Sequence, residues 1–204
     1  STEGVDSIPL DGGGSQSVTP DEPIADVIGR RHYSDFNGNG IVEPWELEQQ
    51  TILSGAINAS STAQNAYHVL FSNKEGGSEH GVLLDGLTIM DGETWNRMTT
   101  ADQHDEAGRG GGLYSDGVPY TLSRCRFQNN FAVRGGAVYV RDARLNIVGS
   151  IFAGNGTVDD AATGSEYQPA RGGAIFMASS INDSSTSLYA ANSLFVNNGT
   201  DETL

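Results

Sequence analysis

The chain has one cysteine, one lysine, six prolines and no long apolar run, and each scarcity excludes something. A lone Cys125 cannot close an internal disulfide, so packing, hydrogen bonds or bound metal must hold the fold. Lys74 is the sole lysine in a set of 11 basic residues, which faces 26 acidic ones for a formal charge of -15. Such a surface repels nucleic acid and anionic lipid, so neither is an expected partner. No stretch approaches the ~18 apolar residues of a membrane-spanning helix, so direct insertion into a bilayer is not expected. The opening STEGVDSIPL has neither the basic start nor the apolar core of a secretion signal, as in a mature or trimmed chain.

What is present is glycine, 27 of 204 residues, in a repeated phrase. RGGGLY at Arg109 to Tyr114 returns as RGGAVY at Arg134 to Tyr139 and as RGGAIF at Arg171 to Phe176. A second phrase, F-x-x-N, follows each copy: Phe127 to Asn130, Phe152 to Asn155 and Phe195 to Asn198. Each is preceded two residues earlier by a small residue, Cys125, Ser150 or Ser193. The first two units are 25 residues apart (Gly110 to Gly135, Phe127 to Phe152), the third carries extra residues, and a degenerate unit stands upstream at Asp85 to Gly92, with Leu87 and Ile89 in the places of Cys125 and Phe127.

Self-similarity at this period marks a stacked repeat, and the segments between turns alternate apolar and polar residues as strands do. A strand-only unit of this length cannot bury its own apolar face. Stacked coils can, by pairing each strand with the one below at ~4.8 Å around a shared interior. The expected fold is all-β, a parallel β-helix of stacked coils of about 25 residues with an irregular N-terminal segment. In it the paired glycines turn a corner where the next coil passes close by. Leu113, Val138 and Ile175 form one interior column, Phe127, Phe152 and Phe195 a second, and Asn130, Asn155 and Asn198 an amide ladder at a bend that favours left-handed backbone. Cys125 reads as a small interior filler, and His68 as packing beside Tyr67.

The GGA-V/I and F-x-x-N motifs, with WELEQQTILSGAI followed by NAYHV and DGLTI, resemble the repeats of polymorphic outer-membrane and autotransporter or adhesin-like β-helix proteins over roughly residues 45 to 200. The resemblance implies a right-handed β-helix exposed outside the cell more firmly than it implies an activity.

Near the start, Asp35-Phe-Asn37-Gly-Asn39-Gly40-Ile41-Val-Glu43-Pro-Trp-Glu46 fits the EF-hand pattern D-x-[DN]-x-[DN]-G-x5-E. Calcium takes six to eight oxygens. The loop offers the side chains of Asp35, Asn37, Asn39 and Glu43, the Ile41 carbonyl and both oxygens of Glu46, so Ca2+ is the expected cofactor, in a structural role. The alternative is an Asn/Gly-rich turn that meets no metal. Residues 1–29 read as a linker or partner-binding arm, 30–50 as this loop with a short helix, and 51–204 as the β-helix, open at its C-terminal end. An arm such as Val5 to Leu10 is suited to lie as an added strand on another subunit.

Two long connections leave one corner of the stack, carrying Asp102, His104, Asp105 and Glu106 on one and Asp159, Asp160, Glu166 and Tyr167 on the other. They are candidates for ligand binding, since functional loops sit on rigid scaffolds, although acidic loops on an acidic protein are ordinarily solvated surface. Arg109, Arg134 and Arg171 precede equivalent glycines and must stack. Either they form an anion- or glycan-binding ladder, or they answer nearby carboxylates and carbonyls. Asn58 and Asn182 are the accessible glycosylation sequons, whereas Asn155 and Asn198 belong to the ladder.

The function expected is a non-catalytic extracellular surface or matrix protein, adhesive or structural. It would self-associate head to tail into filaments with calcium support, or receive further coils, with glycans as further ligands. The rival is a polysaccharide lyase or glycoside hydrolase working from the acidic corner.

Overall fold

A computed structural model of the chain describes residues 6–10, 14–18, 51–57, 65–74, 80–94, 108–158, 170–180 and 186–201. The chain divides into two compact units, Ser1–Gln49 and Gln50–Leu204. In the first, β1 (Asp6–Leu10) and β2 (Gly14–Val18) pair antiparallel, with Ile8 opposite Gln16. The strand-forming arm expected at residues 5–10 therefore finds a partner within its own chain.

The second unit is a parallel β-helix. It opens with β3 (Thr51–Ser54), after which each coil visits the same sheets in the same order. The first coil contributes β4 (Leu70–Asn73), β5 (Val82–Asp85) and β6 (Leu87–Met90). The second contributes β7 (Leu113–Asp116), β8 (Tyr120–Ser123), β9 (Arg126–Gln128) and β10 (Phe131–Ala132). The third contributes β11 (Val138–Arg141), β12 (Arg144–Val148), β13 (Ile151–Ala153) and β14 (Gly156–Val158). The fourth contributes β15 (Ile175–Ala178), β16 (Ser187–Ala191), β17 (Leu194–Val196) and β18 (Gly199–Asp201).

Every strand pairing in this unit is parallel and joins equivalent strands of successive coils, in the sheet orders β15-β11-β7-β4, β16-β12-β8-β5, β17-β13-β9-β6-β3 and β10-β14-β18.

Registers place the repeat phrases as their spacing predicts. Leu113, Val138 and Ile175 align, as do Phe127, Phe152 and Phe195. The interior columns of the central coils are sealed, with Leu113, Val138, Leu122, Leu145, Phe127 and Phe152 all at 0% exposure. Phe152 stacks on Phe127 at 5.0 Å between centroids and on Phe195 at 4.8 Å, nearly coplanar in both cases.

Corners carry the turn chemistry. Each uses one residue with positive φ per coil, and these form columns: Gly86, Arg124, Gly149 and Asn192 at one corner, Asp91, Asn129, Gly154 and Asn197 at the next, and Gly110, Gly135 and Gly172 at the entry to the RGG strands. Glycine, asparagine and aspartate tolerate this conformation best, which explains much of the composition. In the F-x-x-N phrase the left-handed residue is the one before the asparagine, not Asn130, Asn155 or Asn198 themselves. The turn must be completed first so that the amide can point inward.

The paired glycines have different reasons. Gly135 has φ +64°, whereas Gly136 has no such demand but lies against the backbone of two neighbours. A Cβ on Gly136 would sit 2.2 Å from the Gly156 carbonyl oxygen and 2.4 Å from that of Gly173.

Candidate functional site

Three registered ladders and one open edge carry the chemistry of the described coils. The first ladder is amide. The backbone N–H and Nδ2 of Asn130 both donate to Asn155 Oδ1, at 3.1 and 3.0 Å. Asn155 repeats the fork on Asn198 Oδ1, at 3.1 and 2.8 Å. Each Nδ2 also donates back to the preceding coil: Asn130 to the Ile89 carbonyl, Asn155 to that of Phe127 and Asn198 to that of Phe152, at 3.1, 3.0 and 2.8 Å. Gly92 starts the series, its N–H donating to Asn130 Oδ1 at 3.0 Å. The bonds between successive amides all run one way, so the ladder has a polarity: each Oδ1 accepts from the preceding coil, while the backbone N–H and one Nδ2 hydrogen of Asn130 and Asn155 go to the next.

A second ladder runs parallel to it. Cys125 N–H donates to Ser150 Oγ at 3.0 Å, and Ser150 N–H to Ser193 Oγ at 3.1 Å. Cys125 is thus a rung with a thiol in place of a hydroxyl, its Sγ within 3.4 Å of the Leu84 carbonyl and 3.3 Å of that of Ser123. Burial pushes the thiol up to about 11, so it is not a nucleophile. Its role is more specific than the filler expected from the sequence. The recurrence of a small polar residue two positions before each phenylalanine was the available signal.

The third ladder lies on the opposite face of the RGG strands from the interior column, because side chains alternate along a strand. Phe71, Tyr114, Tyr139 and Phe176 stack at 5.1, 5.4 and 5.7 Å with nearly parallel rings. His68 packs against Phe71 and Tyr114, and its Nδ1 lies 3.0 Å from the Gly110 carbonyl oxygen. Arg109, Arg134 and Arg171 do form a column, joined by parallel bridges. The Arg109 guanidinium lies 5.1 Å over the Tyr139 ring and that of Arg134 5.9 Å over Phe176, each reaching one coil onward. Stacking on rings is a role neither sequence alternative named, and it contributes roughly 0.5–1 kcal/mol where exposed.

Among the described residues, two partly buried ion pairs tie successive coils. Arg124, in the left-handed conformation, donates from Nε to Asp85 Oδ1 at 2.8 Å and from Nη2 to Oδ2. Arg141 grips Asp116 in the same bidentate way, Nε to Oδ1 at 2.9 Å. Asp116 and Arg141 occupy facing positions of paired strands, which the repeat spacing encodes although neither belongs to a repeated phrase.

The two acidic connections leave the corner after the F-x-x-N phrase, one from Glu93 and Thr94 and one from β14, with the short Phe131 to Val133 link between them. Asp102, His104, Asp105, Glu106, Asp159, Asp160, Glu166 and Tyr167 themselves lie outside the described residues, as do the whole Asp35 to Glu46 loop, Asn58 and Asn182. Among the described residues no group of three or more His, Cys, Asp or Glu side chains is placed to hold a metal.

The open edge is the far side of the fourth coil. In each sheet order its strand stands at one end, so among the described residues β15, β16, β17 and β18 each pair on one side only. Its interior positions are half-exposed, Phe195 at 45% and Leu188 at 49%, against 0% for Phe152 and Leu145 one coil before. No protein family, curated protein or solved structure matches this chain.

Proposed function

We propose that the chain is a non-catalytic extracellular module, structural or adhesive, which assembles through the exposed edge of its fourth coil by self-association or by receiving further coils. What supports this reading is the stack itself, whose strand pairing and interior columns repeat from coil to coil in a form that a further coil or a second copy can continue. Native proteins ordinarily cover such edges, and contact between unlike ends builds filaments unless it closes on itself.

The likeness of the GGA and F-x-x-N repeats to autotransporter-type β-helices supports an extracellular setting. The acidic surface suits calcium at Asp35 to Glu46 as a structural support for the N-terminal unit. Glycans are the proposed further ligands, at the arginine column or the acidic corner.

Light scattering and negative-stain microscopy of the purified chain, with calcium and then with chelator, test the reading. Filaments or oligomers that shorten when calcium is withdrawn are expected, and a monomer under both conditions refutes self-assembly. Release of reducing ends or unsaturated products from a glycan, abolished by changing Asp105 or Asp160, refutes the non-catalytic reading.

A further inference from the structure

The amide ladder contains a chemically labile dipeptide. Asn155 precedes Gly156, and an asparagine followed by glycine deamidates readily, because no side chain hinders the next backbone nitrogen. The fold demands both residues. Asn155 must carry an amide, since its oxygen answers two donors of Asn130 while its nitrogen donates to the Phe127 carbonyl and to Asn198 Oδ1. Gly156 must be glycine, since a Cβ there would sit 2.7 Å from Cε1 of the Phe131 ring. Asn130, by contrast, is followed by Phe131.

The reaction is internal to the chain. The Gly156 nitrogen, once its proton has gone to a solvent base, attacks Asn155 Cγ. A new C–N bond closes a five-membered succinimide, and ammonia leaves with the former Nδ2. Water then opens the ring at either carbonyl, giving aspartate or, with one extra carbon in the main chain, isoaspartate. One water is consumed and one ammonia released, with no change of oxidation state.

The closed third coil blocks each step. The attacking nitrogen is occupied, its N–H donating to the Asn130 carbonyl at 2.9 Å where β14 pairs with β10. The carboxamide is fixed by four bonds and cannot turn its Cγ toward that nitrogen. At 1% exposure, Asn155 is reached neither by base nor by the water that opens the ring. Once the coil opens these restraints are gone, and the product no longer fits. Aspartate sets oxygens against the Phe127 and Asn198 oxygens, and isoaspartate lengthens the main chain just before Gly156 and Thr157, which must stay in register with Phe131 and Ala132.

We propose that Asn155 is a self-modification site controlled by folding: inert while the third coil is closed, it loses ammonia when that coil opens, and the modified chain cannot rebuild the ladder. Time spent open is thereby recorded as covalent change, and chains left unfolded for long are removed from the pool that can refold.

The test ages the full chain at mildly alkaline pH, in native buffer and in urea above the unfolding midpoint, then maps its tryptic peptides by mass spectrometry. Cleavage after Arg144 and Arg171 yields Leu145 to Arg171, which holds Asn155 together with Asn146, an internal reference followed by Ile147. Asn155 is expected to convert in urea, isoaspartate exceeding aspartate, while Asn146 persists. In native buffer its conversion should be slower by about a hundredfold or more, because a buried coil of a stable domain is open for only that small a fraction of the time. Chains aged in urea are then diluted, and size exclusion separates those that refold from those that do not. Converted Asn155 should be confined to the fraction that fails to refold, whatever has happened at other asparagines. No conversion in urea, equal rates in the two buffers, or converted Asn155 equally abundant in both fractions overturns the inference.

Discussion

Replacing Asn155 with alanine removes the centre of the amide ladder. Asn155 is 1% exposed and makes four side-chain bonds: Oδ1 accepts from the N–H and Nδ2 of Asn130, and Nδ2 donates to the Phe127 carbonyl and to Asn198 Oδ1. A net contribution of about 1 kcal/mol per bond gives ~4 kcal/mol. The Phe127 carbonyl and Asn130 donors stay buried without their partners, which raises the loss to roughly 4–6 kcal/mol. For a domain of this size that lowers the melting midpoint by roughly 10–20 °C.

Urea unfolding followed by far-ultraviolet circular dichroism measures the change as a shift in midpoint at constant slope. Asn155→Asp separates shape from hydrogen bonding, because it fills the same space but turns oxygens toward the Phe127 and Asn198 oxygens. It should be at least as destabilising as alanine. Asn146→Ala is the control, since that side chain is half-buried and makes one weak bond to Thr121 Oγ1 at 3.4 Å, and it should change stability by no more than about 0.5 kcal/mol. A loss below about 1 kcal/mol for Asn155→Ala, or an aspartate milder than alanine, refutes the ladder as a principal source of stability.

Gly136→Ala should destabilise by about 3 kcal/mol or more, because its Cβ would meet two carbonyl oxygens that belong to backbone and cannot rotate away, whereas Gly199→Ala, in open space, should be nearly neutral by the same urea assay. Cys125 should resist Ellman's reagent until the fold opens. Its folded-state pKa is raised from 9.0 to about 11, so the folded state holds the proton more tightly and stability falls as pH rises from 9 through 11. Cys125→Ser, which restores a hydroxyl rung, should abolish that extra slope in stability-versus-pH measurements and otherwise change stability by about 1 kcal/mol or less. Calcium at a hundredfold excess over its dissociation constant should stabilise the chain by about 2.7 kcal/mol, and chelator should lower the melting midpoint by roughly 5–10 °C, an effect lost in Asp35→Ala. An unmoved midpoint counts against bound calcium.

Much of the β-helix was legible because its constraints fall on single residue types at fixed spacing. Only glycine fits where two backbones touch, and only an asparagine amide both accepts from the preceding rung and donates to the next. What the phrases did not disclose was direction. Nothing in F-x-x-N says which residue turns the corner until the columns of Asp91, Asn129, Gly154 and Asn197 are seen together, although all three residue types are left-handed formers. The arginines were harder still. Each is followed along the chain by a glycine, and the rings that Arg109 and Arg134 cover belong to the following coil, so only the register of Tyr139 and Phe176 reveals the contact. The bidentate pairs of Asp85 and Asp116 are hidden in the sequence for the same reason, since an acid and a base one coil apart look unrelated until strands align.

The corner columns separate the length of a coil from its cross-section. Two residues join Arg141 to Arg144 and eight join Ala178 to Ser187, yet the strands on either side keep the same partners. The corner between these two sheets thus behaves as a socket that takes links of different length without disturbing the stack. A protein engineer inheriting this stack has one such insertion point per coil, spaced at the strand separation, on which foreign loops can be displayed in a defined row.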